Sequence, residues 1–398
     1  MLDVEALRAE FPALAGPQIY LDGPAGTQVP NRVIRAVTEA LASSMSNVGG
    51  QFGSSKRSEA TVDRARVAAA DFVGGAPAEV IFGPNMTSLT FAVSRALAEG
   101  WKEGDRIVLS ALDHDANITP WVRAAASKGV LVDFVDFDLK TTAIDLDQLE
   151  AMVDERTRLV AVTACSNAFG TLVDVARVAR AARSVGALSF VDAVHLAPHR
   201  RIDVAAIGCD FLVCSSYKFF GPHLGVMWMR GALLEQLPAF KVRPAPDRGP
   251  GRWETGTAPF ELLAGFTAAV DYLASLGWGA ERRGALDAAF VEIGAHEASL
   301  SDRFLAGLPE GVRVVGQPST GGRVPTFAVE VDSLPANEVA RQLGKVGIAT
   351  WSGHYYAVEP MSRMGYLDGG GLTRIGFVHV STAGEVDAVH AALAALEA

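Results

Sequence analysis

Between residues 30 and 270 the chain alternates short apolar runs with stretches whose apolar residues recur at helical spacing. Val33, Ile34, Val37 and Leu41 fall on one face of a helix predicted over 31–46. RIVLS (106–110), VLVDFVDF (130–137), LVAVTAC (159–165), ALSFVDA (187–193), FLVCSS (211–216) and VMWMR (226–230) are nearly continuous apolar runs bounded by turn residues. That is the pattern of strands buried on both faces. Ala- and Arg-rich helical stretches such as 174–186 lie between them. The alternation predicts an α/β fold with a mostly parallel sheet between helices. The Pro-, Gly- and Arg-rich stretch 239–256 is broken by aromatic and charged residues, so it reads as an ordered loop and not as a linker. Two long helical patterns follow, 258–276 and 284–307. The last third mixes the strand-like VRVVG, PTFAVEV and LTRIGFVHV with helices at 335–346 and 384–398, where Val386, Val389, Leu393 and Leu396 share a face. It predicts a smaller α+β unit.

Length suits two units: 398 residues exceed the usual single hydrophobic core. A net charge of −10, with no basic run, argues against nucleic acid as a partner. The N-terminal MLDVEALRAEFPAL is no secretory signal, and no run approaches the roughly 18 apolar residues of a membrane span. Three cysteines, Cys165, Cys209 and Cys214, lack metal-type spacing, so a reduced, cytoplasmic, metal-free protein with no membrane attachment is expected.

Five places can carry chemistry. Lys218 follows an apolar strand and is flanked by Tyr217, Phe219 and Phe220. A desolvated lysine loses its charge more easily and can attack a carbonyl; a strand-end lysine that snorkels to water is the ordinary alternative. Asp192 ends a predicted parallel strand, where open α/β sheets bind ligands, although an aspartate there often caps a helix. In IFGPNMTSLTFAVSRAL (81–97) a strand, a Gly-Pro turn and a helix beginning near Met86 form an anion site, with Asn85 and Thr87 as extra donors, or simply a capped helix. His114 can stack on a flat ring or move a proton, or do ordinary capping. Asn167 can donate to an oxygen or form a turn. Each signal is weak alone; their combination at strand ends is not.

In combination DHDAN, CSN, FVDAVH and SSYKFFGP resemble the class V aminotransferase group of fold-type I pyridoxal-phosphate (PLP) enzymes, and most closely its cysteine desulfurase-like branch. The resemblance runs from YLDGPAGTQVP (20–30) to TRIGFVHVSTAGEVD (373–387). It implies a seven-stranded-type sheet in a large PLP-binding domain (19–280), and a small domain formed by 1–18 and 281–398. It also implies roles. Lys218 is the lysine that bonds to PLP and afterwards moves protons. Asp192 pairs with the pyridine nitrogen, and His114 stacks on the ring. Asn167, His195 and Tyr217 lie near the phenolic oxygen; desulfurases usually have Gln at the place of His195, and many relatives have His at the place of Tyr217. Met86 and Thr87 hold the phosphate from the helix start, with Ser215 and Tyr217 opposite. Thr257 reaches the phosphate of the neighbouring subunit, so a homodimer with composite sites follows. Arg374 clamps the α-carboxylate of a small amino-acid substrate.

One departure matters. Desulfurases carry their nucleophilic cysteine in a loop resembling RTGHHCA; here the segment is WSGHYYA (351–357), with Tyr356 at the cysteine position and Trp351 in place of an arginine. A tyrosine hydroxyl cannot accept sulfur as a persulfide, and with a pKa of about 10 it is a poor nucleophile at neutral pH. Cys165 and Cys214 fall on apolar strands, and Cys209 precedes one, so none is expected to substitute. The expected reaction is lyase-type C–S cleavage by β-elimination from a cysteine conjugate, with Tyr356 and His354 placed to give a proton to the leaving thiolate. Transamination, epimerisation and decarboxylation are the alternatives within the same cofactor class.

Overall fold

A computed structural model describes residues 2–43, 46–332 and 334–396. The far parts of two predicted helices, 44–45 and 397–398, lie outside the described residues. A seven-stranded sheet forms the centre. Its spatial order is Val80–Gly83, Gly225–Met229, Phe211–Ser215, Leu188–Asp192, Thr157–Thr163, Arg106–Ser110 and Leu131–Val135. The strands from Phe211–Ser215 outward to Leu131–Val135 are mutually parallel. Gly225–Met229 is antiparallel to both its neighbours, so it alone runs backwards. The reason is covalent: the connection 216–224 is too short for the crossover that a parallel pair requires.

Along each inner strand successive side chains enter different cores, as the two-residue period demands. Val108, Val160, Val191 and Leu212 join one cluster, with Phe219, Phe220 and Phe266. Ile107, Leu159, Phe190, Phe211 and Val213 join another, with Trp121 and Met227. Both faces are therefore dry, and these strands read as continuous apolar runs. The outer strand Leu131–Val135 is less buried and carries Asp133, which pairs with Arg106 at 2.7 Å; charge on an edge strand discourages pairing with other chains.

The sequence reading placed no element where the helix Gly53–Val73 lies. It packs through Ala65, Ala68, Ala69, Phe72 and Val73 and ends at Gly74, which takes φ +79°. A face built mainly of alanine gives little hydrophobic contrast, so its period is faint.

The last third forms a four-stranded antiparallel sheet in the order Trp351–Gly353, Leu372–Gly376, Thr326–Val331, Val312–Val315. The helices Arg282–Ala306, Ala336–Lys345 and Ala383–Ala394 cover it through Phe304, Leu343, Val386 and Val389. The N-terminal segment packs against the large core and against the last helix. Phe11 packs edge-on against Phe220 and Tyr272, while Arg8 pairs with Glu385 at 2.9 Å. Ile19–Tyr20 then pairs with Ile348–Ala349, and Asp22 bridges Gly376. Among the described residues no helix is long and apolar enough to cross a membrane.

Candidate functional site

The carboxyl ends of the parallel strands deliver the site. Lys218 closes a turn of 3-10 helix, Ser216–Lys218, directly after Phe211–Ser215. Of its aromatic neighbours only Tyr217 lies against the amine, its ring centre 5.0 Å from Nζ. Phe219 and Phe220 point into the core, where Phe219 stacks on Phe72 at 4.6 Å, and they anchor the turn. Phe220 takes φ +70°, held by its amide donating to Thr27 Oγ1 at 2.7 Å. The lysine faces the N-terminal segment instead, and its Nζ donates to the carbonyls of Pro24 at 2.5 Å and Ala25 at 3.0 Å. Burial pushes this amine down to about 7, Arg374 pushes the same way, and Asp192 and Asp22 oppose.

Asp192 ends its strand buried, and its Oδ1 accepts from the amide of Val194 at 2.9 Å. Burial raises its carboxyl to about 6, so a cation placed against it would hold it ionised. Beneath it lies the fully buried Asp113, which accepts from Asn117 Nδ2 at 2.6 Å and the Thr163 amide at 2.9 Å. Burial holds Asp113 well above the usual carboxylate range, and the Asp192 charge adds to that.

His114 follows Arg106–Ser110 and caps a short turn, its Nδ1 accepting from the amide of Ala116 at 3.0 Å. Burial, with Lys218, Arg374 and His354 adding, lowers it to about 4, so the imidazole is neutral. Its ring stacks on Tyr356 at 5.4 Å, 13° from parallel. Tyr355 and Tyr356 are consecutive non-glycine residues in the left-handed region, at φ +51° and +58°. Such backbone persists only when neighbours hold it. Here the Tyr355 carbonyl accepts from Asn167 Nδ2 at 2.9 Å and the Tyr356 carbonyl from the Asp115 amide at 2.7 Å. The Tyr356 amide donates to His354 Nδ1 at 3.0 Å, and the Tyr355 hydroxyl donates to the Leu372 carbonyl. Tyr356 itself is 66% exposed.

Arg374 comes from the other sheet. It is buried, with Nη1 donating to the Asn167 carbonyl at 2.8 Å and Cζ lying 4.5 Å from the centre of the Tyr355 ring. Burial lowers even this guanidinium to about 10. His195 is buried and shares a hydrogen bond between Nε2 and Thr326 Oγ1 at 2.9 Å. Burial, with His199, Arg374 and Lys218, drives it well below the ordinary histidine value. Tyr217 stacks on His223 at 4.9 Å, and burial raises its hydroxyl.

At the helix Met86–Ala98, Asn85 is the N-cap and its Oδ1 accepts from the Ser88 amide at 2.9 Å. The Met86 amide donates to Ser215 Oγ at 3.0 Å, so Ser215 ties the helix start to the sheet. Thr87 Oγ1 is 3.6 Å from Met86 Sδ. Gly225 permits this approach, since a Cβ there would lie 2.5 Å from the Asn85 carbonyl carbon. Thr257 is exposed on its loop. That loop is tied down nearby, where Glu254 takes Arg66 at 2.7 Å and the Phe82 amide at 2.8 Å.

Three buried side-chain atoms at this place have no hydrogen-bond partner: Asp22 Oδ1, Asn167 Oδ1 and Arg374 Nε. Buried polar atoms are normally satisfied, so the gap fits a polar ligand that bears an anionic group. An amine near neutrality, a carboxylate at a strand end, a neutral imidazole and a capped helix start together suit an aldehyde cofactor carrying a ring nitrogen and a phosphate. A family model described as aminotransferase class-V matches residues 19–389.

The chain belongs to the class-V aminotransferase family.

This family uses pyridoxal 5'-phosphate. The chain is 34% identical over 368 residues to a probable cysteine desulfurase of Pseudomonas aeruginosa, covering 90% of each chain. It is 31% identical over 404 residues to an aminotransferase-like protein of Gibberella zeae, covering 98% of this chain and 97% of the other. Its fold matches that of the cysteine desulfurase of Thermococcus onnurineus, solved in its apo form, with a TM-score of 0.90 and 25% identity over 99% and 98% of the two chains. This is a class-V, cysteine desulfurase-like PLP enzyme.

Sequence reasoning missed Asp22 and Thr326 as members of the site. Asp22 stands inside the YLDGPAG motif, but no periodicity or charge pattern in the sequence points it at Lys218. Thr326 lies on an apolar strand of the second sheet, and only the tertiary fold brings it to His195.

Proposed function

We propose that this enzyme cleaves the C–S bond of a cysteine conjugate by β-elimination, without a persulfide on the protein. One observation carries the reading: no thiol is available. By the resemblance of WSGHYYA to the desulfurase loop, Tyr356 is assigned to the cysteine position, and Cys165, Cys209 and Cys214 are all buried. Burial raises all three thiols, Cys209 to about 12, and a protonated, enclosed thiol does not accept sulfur.

Lys218 would hold PLP covalently, with Asp192 at its ring nitrogen and His114 against its face. Asn167, His195 and Tyr217 would serve the phenolic oxygen. Met86, Thr87 and the Asn85-capped turn would hold the phosphate, with Ser215 and Tyr217 on the other side. Thr257, exposed on its loop, is assigned to the phosphate of a second copy in a homodimer. When bound, the cofactor supplies an electron sink conjugated to the substrate Cα. Arg374 orients the α-carboxylate and so decides which Cα bond stands ready to break. Lys218, near neutrality once freed, takes the α-proton. Tyr356 or His354, at the rim, returns a proton to the departing thiolate. His114, neutral at working pH, packs and orients without adding charge.

Incubation of the holoenzyme with S-substituted cysteines tests this. Pyruvate, ammonia and free thiol in equal amounts are expected. A keto acid that forms only when an amino acceptor is supplied would establish transamination instead, the reading favoured by the likeness to the Gibberella zeae protein.

A further inference from the structure

Asp22 feels, through its carboxyl, both cations of the site, Arg374 and Lys218. It bridges Gly376, two residues beyond Arg374, while Pro24 and Ala25 just after it hold the Lys218 amine. Its Oδ1 is buried without a partner, and so is Arg374 Nε. Among the described residues these opposite charges make no ion pair with each other. A carboxylate with one buried, unpartnered oxygen and a buried guanidinium with one unpartnered nitrogen are complementary to a zwitterion: an α-amino acid carries a carboxylate and an ammonium on one carbon.

We propose that Asp22 receives the α-ammonium of the incoming amino acid and takes one proton from it. An N–H bond breaks, its electron pair stays on nitrogen as the lone pair, and an O–H bond forms on the Asp22 carboxyl. The neutral amine that results is the nucleophile this chemistry needs. The proposal rests on the reading above, in which Arg374 takes the α-carboxylate, and extends it to the other end of the substrate. Burial already raises the Asp22 carboxyl from its ordinary value, against the pull of Arg374 and Lys218, which makes it a better proton acceptor. Arg8 lines a hollow beside Asp22 but pairs with Glu385 at 2.9 Å.

The test uses two probes that cannot condense with an aldehyde. N,N-Dimethylglycine keeps a carboxylate and a protonated nitrogen; isovalerate is its carbon isostere without the charge. Calorimetric titration of the holoenzyme should show dimethylglycine binding about tenfold more tightly, since a hydrogen bond between charged groups contributes at least that factor. Asp22→Asn should bring the ratio close to one, and Asp22→Ser should do the same. A wild-type ratio near one, which needs no variant, overturns the proposal, as does a ratio that survives both substitutions. If neither probe binds, the carboxylate site at Arg374 fails and the proposal fails with it. Cysteine conjugates that are split by an enzyme with a ratio near one would sink the role of Asp22 and leave the lyase reading standing.

Discussion

Replacing Lys218 by methionine in the cofactor-free protein should stabilise it near neutral pH, and the gain should vanish as the solution becomes alkaline. The folded protein lowers the amine from its ordinary 10.5 to about 7. Between those values the unfolded chain binds a proton that the folded chain does not, so wild-type stability rises with pH across that window. Below it the full penalty is present, roughly 5 kcal/mol at about 1.4 kcal/mol per tenfold. At pH 7, with half the folded amine already neutral, the penalty is still about 4 kcal/mol. Methionine removes it but also loses the hydrogen bonds to Pro24 and Ala25, each worth about 1 kcal/mol. The net expectation is a gain of about 2 kcal/mol at pH 7, falling to zero or below by pH 10. Urea unfolding midpoints of both cofactor-free proteins at pH 7, 8.5 and 10 measure it. A difference that is flat with pH, or that grows toward pH 10, would refute the claim that Lys218 is held near neutrality by its surroundings.

Lys218→Ala should abolish turnover and leave PLP bound only non-covalently, seen as loss of the visible band after dialysis; retained activity would assign the covalent link to another residue. Arg374→Ala should raise KM for α-carboxylate substrates by tenfold or more, the worth of a charge-assisted pair, with cofactor content unchanged; release of cofactor would move Arg374 to the phosphate. Gly225→Ala forces a Cβ to 2.5 Å from the Asn85 carbonyl carbon, so it should weaken PLP retention by displacing the helix start at Met86, and full cofactor occupancy would show that this start is not the phosphate cradle.

Much of this architecture was legible because its strands are buried on both faces. The runs around Leu109, Val160, Val191 and Val213 announce themselves as apolar, and each lies in the seven-stranded sheet. The direction of Gly225–Met229 was not legible from hydrophobicity and follows from its short connection. Lys218, Asp192, His114 and Asn167 stood out as candidates because each ends a strand or follows one at its carboxyl end. The structure then supplied what spacing cannot. Arg374 arrives from a separate sheet, Phe219 and Phe220 turn inward, and Ser215 Oγ is engaged by the Met86 amide. Asp22 escaped notice because its neighbours in space are half a chain away in sequence, as Lys218 is, or nearly a whole chain away, as Arg374 is.

The loop that carries Tyr356 is held by its own carbonyl and amide groups, and by Asn167, Asp115 and His354. None of those bonds uses the Tyr356 side chain. The backbone bonds of the loop are thus indifferent to the side chain mounted there, which adds only ring contacts with His114 and His354, apart from a preference for residues that tolerate left-handed backbone. Exchanging the group at this position would leave the loop's backbone bonds, the lysine, the arginine and the strand ends in place, so a change of reaction made there would need no rebuilding of the fold.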